Sequence, residues 1–479
     1  MRVLTFFMIA GILAGLPLAL GSGQGIAQTE TQNEDSMMVM AAPDQAVVTE
    51  WVRRYNGAGN GHDTPRAIAV DAEGNVYVTG SSYVGGSYDD YATIKYSPAG
   101  KRLWLRTYDN LGGEDVPRGM AVDGQGNVYV TGKSMGPLDP DFATIKYAPD
   151  GTELWVRRYD GPGDYSQDEA TAIGLDSQGN IYVTGNSALA PDYTYDIVTI
   201  KYAPNGRRLW VRRYNGPADG HDKAAALAVD KDGNVIVTGS SGGATTGLDY
   251  LTIKYDPDGV RLWVRRYNGI PGASGYDEAT AIAVDGQGNV YVTGSSRGAG
   301  TWDDYATIKY SPDGDRLWVR RYNGPENNFD YAKAIAVDAQ GNVFVTGESW
   351  GEFSSDILTI KYFTDGARDW VSRYNGRGRS ADCGLSLALD TEGNAYVTGY
   401  ACFEGTGQQS YDIATIKYPA DGTRAWVKRY QGPGGDYDIG LAITVDANNN
   451  VYVAGASVAA GGDEDFITIK YSQTPEASQ

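Results

Sequence analysis

The segment AIAVDAEGNVYVTG, Ala67 to Gly80, returns with small changes eight times in a chain of 479 residues, each time followed by TIKY. Trp51, Trp104, Trp155, Trp210, Trp263, Trp318, Trp370 and Trp426 fall in one column, spaced by about 51 to 56 residues, a period that belongs to propeller-like arrays. Each period holds four short segments of the types AIAVD, NVYVTG, ATIKY and LWVRRY, and all four alternate as strands do. A slip of one residue would turn every side chain to the other face, so the pairing register is strongly specified.

The link between the first two segments reads Asp-x-x-Gly-Asn, as from Asp71 to Asn75. Its glycine supplies a positive φ and its aspartate bonds nearby amides. The eighth copy places Asn449 where the others have glycine, and asparagine is the residue next best able to adopt that conformation. A Pro-x-Gly turn, as in Pro98 to Gly100 and Pro312 to Gly314, joins the third and fourth segments.

The array opens with a lone tryptophan strand, Trp51 to Tyr55, and ends just after the eighth TIKY, Thr468 to Tyr471. The missing outer strand of the last unit therefore lies at the other end of the chain. The expected fold is all-β: an eight-bladed β-propeller of four-stranded antiparallel blades, closed by the N-terminal strand pairing into the final blade, which leaves no open edge. The column tryptophans are expected as wedges between sheets, and the alanines of AIAVD suit the crowded innermost strands. The propeller is expected to span residues 51–472.

Residues 1–27 carry Arg2, an apolar run from Val3 to Leu20 and the small residues Gly25 and Ala27, the pattern of an export signal. Residues 28–50 suggest a flexible linker, 473–479 a disordered tail, and no later stretch is apolar enough to span a bilayer once the signal is removed. The expected location is secreted, periplasmic or at the cell surface. A formal net charge of −20 argues against nucleic acid as a partner, because such affinity rests on neutralising phosphates with Lys and Arg. The two cysteines, Cys383 and Cys402, mirror each other about the turn from Thr391 to Asn394, so a disulfide is expected between them.

The stretch DEATAIAVDGQGNVYVTGSS, Asp277 to Ser296, resembles the SBBP family of bacterial and archaeal β-propeller repeats, and the likeness runs through all eight copies. It implies an exported propeller and leaves function open; the family name implies seven blades, against eight copies here. A weaker likeness to the quinoprotein propellers rests on a glycine four residues before a docking tryptophan, as Gly100 precedes Trp104.

Three aspartates recur in every copy. The first column, exemplified by Asp71, belongs to the short turn. A second comprises Asp63, Asp115, Asp168, Asp222, Asp277, Asp330, Asp382 and Asp438, before the inner strands; a third comprises Asp90, Asp141, Asp196, Asp249, Asp304, Asp356, Asp412 and Asp465, before TIKY. Alternating strand direction puts the second and third columns on one face and the short turns on the other. Calcium is the cofactor such carboxylates would suit, with the second column as candidate ligands. The competing reading has both columns accept backbone hydrogen bonds or pair with the repeated lysines and arginines. This second reading is the preferred one, so no cofactor is expected, calcium being the one possibility.

His62 and His221, the two histidines, each precede an aspartate of the second column, but no nucleophile elbow or zinc-type spacing accompanies them, so no catalytic residue is assigned. The longer connections on the acidic face differ in every copy. They hold Trp302 and Trp350, the two tryptophans outside the column, with Phe403 and Tyr411 extending the series as candidate ligand-binding residues. The leading expectation is an exported, non-catalytic scaffold that binds a protein or carbohydrate through this face. The alternative is a propeller enzyme, a quinoprotein dehydrogenase or a polysaccharide lyase or hydrolase, using the acidic mouth.

Overall fold

The computed structural model describes residues 47–86, 88–162, 166–189, 194–270, 275–376, 380–404 and 409–473. The expected signal (1–27), most of the expected linker and the tail from 474 lie outside the described residues. Those described contain 32 strands and no helix, so no helix among them could cross a membrane.

Eight antiparallel four-stranded units follow one another. The first consists of Asp63–Val70, Val76–Tyr83, Asp89–Tyr96 and Arg102–Tyr108, ordered from the axis outward. The eighth is composite: Asp438–Val445, Val451–Val458 and Glu464–Gln473 are completed by Val47–Tyr55 from the start of the fold. Trp51 pairs with Lys470, as Trp104 pairs with Lys95 inside the first blade, so the closing strand takes the standard outer-strand register. The inner strand of the first blade packs on that of the eighth, and one hydrophobic cluster joins Trp51, Ile68, Val78, Tyr452 and Phe466 across the seam. The ring is closed.

Three details depart from the sequence-based expectation. The closing strand begins at Val47, inside the expected linker, because Val47 and Val48 continue the pairing to Gln473 and Ser472, and Val47 is buried beside Trp426 and Tyr471. The fourth and fifth blades share one eight-stranded sheet through a short parallel contact, Gly247 to Gly275 and Leu248 to Tyr276. Every inner strand carries a bulge, between Pro65 and Ala67 in the first blade and between Gly384 and Ser386 in the seventh.

That last bulge overturns the expected disulfide. Together with the turn offset it sets Cys383 opposite Tyr400, two residues short of Cys402, whose partner on the next strand is Tyr411. Cys383 and Cys402 are both buried and form no disulfide.

The inner turns form as expected. Gly74 has φ of 79° and Asn449 takes φ of 62° in its place. Asp71 accepts from the amides of Glu73 and Asn75, from Asn75 Nδ2 and from the Tyr77 hydroxyl. Seven of the eight column tryptophans dock on the outer turn of the next blade. Trp104 Nε1 donates to Pro149 O at 3.0 Å, and Arg106, over the indole, donates to Gly151 O at 2.7 Å. The same contact repeats from Trp263 to Pro312 and Gly314. Burial of each indole contributes roughly 1.5–3 kcal/mol, and in the six cases where an arginine lies above the ring the cation adds about 0.5–1 kcal/mol. The eighth blade lacks this turn because its third strand is not linked to its fourth, and the buried Trp426 Nε1 has no acceptor. Gln473 fills part of the gap, accepting from Lys417 and donating to Asn449 O.

Gly314 combines a φ of 84° with a position where a Cβ would lie 2.8 Å from the Trp263 ring, whereas a Cβ on Gly124 meets nothing. Gly314→Ala is therefore expected to lower stability by about 1–3 kcal/mol and Gly124→Ala to change it little, as read by urea unfolding followed by tryptophan fluorescence.

Candidate functional site

The loops between second and third strands and those linking one blade to the next emerge on one face, and the short turns on the other. At the loop-bearing end of seven blades the strands place an aspartate, a serine and a second aspartate in one row, as Asp115, Ser134 and Asp141 in the second blade; in the seventh, Ala401 stands in the place of the serine.

The second-column carboxylates are buried and accept backbone hydrogen bonds where the chain enters each blade. Asp63 accepts from Gly57 N at 2.6 Å and Tyr83 N at 3.0 Å, and Asp382 from Gly376 N and Cys402 N, both at 2.6 Å. Asp115 holds Asn110 N and Met135 N, and Asp277 holds Gly269 N and Arg297 N. Asp168, Asp222, Asp330 and Asp438 hold the amides of Gly161, Gly216, Gly324 and Gly432. Each carboxylate thus ties the arriving linker to the blade it enters.

The third column is ion-paired to the outer strand. Arg158 donates to Asp141 at 2.7 Å and to Ser134 Oγ and O, and the pattern recurs as Arg213 with Asp196, Arg266 with Asp249, Arg321 with Asp304, Arg373 with Asp356, Arg429 with Asp412 and Arg54 with Asp465. The first blade is the exception: Thr107 stands where the arginine would be, and Asp90 has no such partner.

The histidines occupy separate blades. His62 lies 3.8 Å from Glu464, and His221 Nδ1 accepts from Tyr195 N at 3.3 Å with the two rings in contact.

The four aromatic candidates separate into different environments. Trp302 is 48 % exposed, its ring 4.8 Å from Phe329, with Arg297 over it at 4.4 Å. Phe329 stacks in turn on Tyr331, and Lys333 covers Tyr331. Trp350 is half-buried and tied through its amide to Phe329 O at 3.1 Å. Tyr411 is half-buried against Tyr400 and Tyr437. Phe403 belongs to the core: it is buried in the seventh blade's cluster with Arg429 over its ring, because its place in the second strand points it inward. The sequence reading missed Tyr276 and Phe353, 68 % and 61 % exposed on the same face as Trp302. Their signal was available, since both are aromatics at positions on the loop face whose occupant changes between copies, that of Tyr276 being Glu114 in the second and Ala381 in the seventh.

Residues 50–86, 110–139, 155–188, 262–300 and 317–354 match the family described as SBBP, Beta-propeller repeat. The chain is an SBBP-type β-propeller repeat protein. The unmatched fourth, seventh and eighth copies form the same four-stranded blades within this SBBP ring. Among curated proteins, the chain is 24 % identical over 478 residues to the uncharacterized WD repeat-containing protein L264 of Acanthamoeba polyphaga mimivirus, covering 82 % of the chain and 33 % of the relative. It is also 24 % identical over 303 residues to the regulatory protein FlaEY of Caulobacter vibrioides, covering 57 % and 28 %. The chain thus spans a third or less of these relatives. Among solved structures, Sqt1 of Chaetomium thermophilum superposes with a TM-score of 0.56 at 10 % identity, covering 88 % of this chain and 98 % of Sqt1. Sqt1 bound to the N-terminus of the ribosomal protein L10 gives 0.54 at 11 % identity, covering 86 % and 98 %. At such identities the likeness is one of fold.

Burial lifts both Asp330 and Asp382 to about 6, above their ordinary 3.8, despite the amides they accept. The folded state therefore holds these protons more tightly than the unfolded chain. Their stabilising contribution is complete below about 3.8 and is lost as pH rises through about 6. The thermal midpoint is expected to rise between pH 7 and pH 5, and Asp330→Asn to flatten that rise in scanning calorimetry.

Proposed function

We propose that this propeller is an exported, non-catalytic scaffold that binds a partner through its variable loop face, centred on the fifth and sixth blades. The observation that carries this is the cluster of exposed Trp302 with half-buried Phe329 and Tyr331, flanked by Arg297 and Lys333, with exposed Tyr276 and Phe353 on the same face. Trp, Tyr and Arg are the residue types that dominate protein hot spots, which favours a protein partner, with a glycan stacked on the rings as the second possibility. Sqt1, of similar fold, binds a segment of another protein, an example of what such a scaffold can hold. The two acidic columns support the non-catalytic part of this reading: most of their carboxylates are occupied by amides and arginines in a pattern that repeats around the ring.

A ligand selected from a peptide-display library or a glycan array is expected to lose about tenfold or more in affinity when Trp302→Ala is combined with Tyr276→Ala, with the thermal midpoint unchanged. Unaltered binding by that variant would place the partner elsewhere. Export predicts a mature N-terminus near residue 28 when the full chain is expressed in a secreting bacterium and sequenced by mass spectrometry.

A further inference from the structure

The first blade breaks the charge pattern of the other seven. In those, an arginine of the outer strand reaches the third-column aspartate, with N to O distances of 2.7 Å in the second blade and 3.1 Å in the third. Thr107 pairs with Ala92 as Arg158 pairs with Ala143, so the first blade has the same backbone without the cation. Asp90 is left 7 % exposed, with no hydrogen bond or ion pair among the described residues. Its carboxylate is aimed at two more: one oxygen from each of Asp90, Asp109 and Asp115 lies within 4.8 Å of the others. Asp115 is fully buried and held by the amides of Asn110 and Met135, while Asp109 is exposed and opens the group to solvent.

The second blade provides an internal control. Asp141 and Asp160, the counterparts of Asp90 and Asp109, gather there with Asp139, and Arg158 supplies the positive charge. Nothing among the described residues does so for Asp90. Three carboxylates around a buried, unpaired member are costly without a cation, since a buried charge is stable only when paired or coordinated.

We propose that Asp90, Asp109 and Asp115 form a calcium site in the first blade, the ion taking the place that an arginine fills in the other seven. The donors are all oxygen and all hard, which suits calcium and disfavours zinc, and their irregular arrangement on two strand entries and a linker suits an ion with flexible coordination more than magnesium. The remaining positions fall to water on the side that Asp109 leaves open. Burial and the neighbouring acids push Asp90 up to about 6, the same electrostatic tension expressed as a proton affinity.

The site is tested on the full chain after chelator treatment, by calorimetric titration with calcium chloride and by thermal shift. Wild-type protein is expected to bind about one ion per chain, with a dissociation constant of roughly 0.1–1 mM, and to gain thermal stability. Asp90→Asn should weaken binding by about tenfold or more. Thr107→Arg should abolish it while raising the midpoint of the calcium-free protein, because the variant restores the pairing used by the other blades. Absence of binding by wild type at millimolar calcium, binding undiminished in Thr107→Arg, or a stronger response to magnesium or zinc would each overturn the proposal.

Discussion

The docking of the column tryptophans, all but Trp426, on the outer turn of the next blade is the contact on which the ring depends. A blade of four short strands exposes two apolar faces, and neither can be buried within the blade. Trp104 covers the gap to the next sheet, its indole N–H fixed by Pro149 O, while Gly151 lets the turn approach the ring and Arg106 closes the contact from above. Because the acceptor is a backbone carbonyl, the sixth and seventh turns can replace proline with Thr364 and Ala420 and keep the bond. The constraint is geometric more than chemical: a glycine at positive φ, a carbonyl in reach and a flat apolar ring.

Ring closure follows from the same contact. With Val47–Tyr55 as outer strand of the eighth blade, Trp51 docks on the Pro98 to Gly100 turn of the first, and the two ends of the chain are held by strand pairing and by a wedge at once. Trp370 keeps the indole bond but has Ser372 in the place of the arginine, and among the described residues the indole bond itself is missing at the nick. Trp426 has no turn to dock on, and the polar bonds of Gln473 replace a carbonyl that the chain order cannot provide.

What could be read in the sequence was whatever repeats with a local period. Alternation placed the strands, the Asp-x-x-Gly-Asn signature gave the turns, and the phase of the tryptophan column gave closure at the correct register. Two features escaped because they are set by pairing between strands. The inner-strand bulge changes register without changing alternation, and so the symmetry that suggested a bridge between Cys383 and Cys402 is real in sequence and absent in space. Phe403 looked like a loop aromatic because the second strand of the seventh blade runs on to Glu404, longer than its counterparts suggested. The pairing of the third acidic column with the arginines of LWVRRY was legible as one of the open readings, and the strand register selects the second arginine, 17 positions away in sequence.

A repeat that must close into a ring fixes most of its residues for one purpose, and this makes departures from the repeat informative. Where a side chain recurs in nearly every blade with one partner, as the third-column aspartate and its arginine do, its role belongs to the scaffold, and the single blade in which the partner is missing has to satisfy the same buried charge another way. Where the occupant of a position changes between copies, as at Trp302, Tyr276 and Phe353, the scaffold does not require these side chains, and their exposure has no structural return. The two departures lie on different arcs of one face, charge on the first blade and aromatic surface on the fifth and sixth. A rigid ring keeps such features at fixed separation, so a partner spanning the mouth would meet both with no rearrangement of the blades between them.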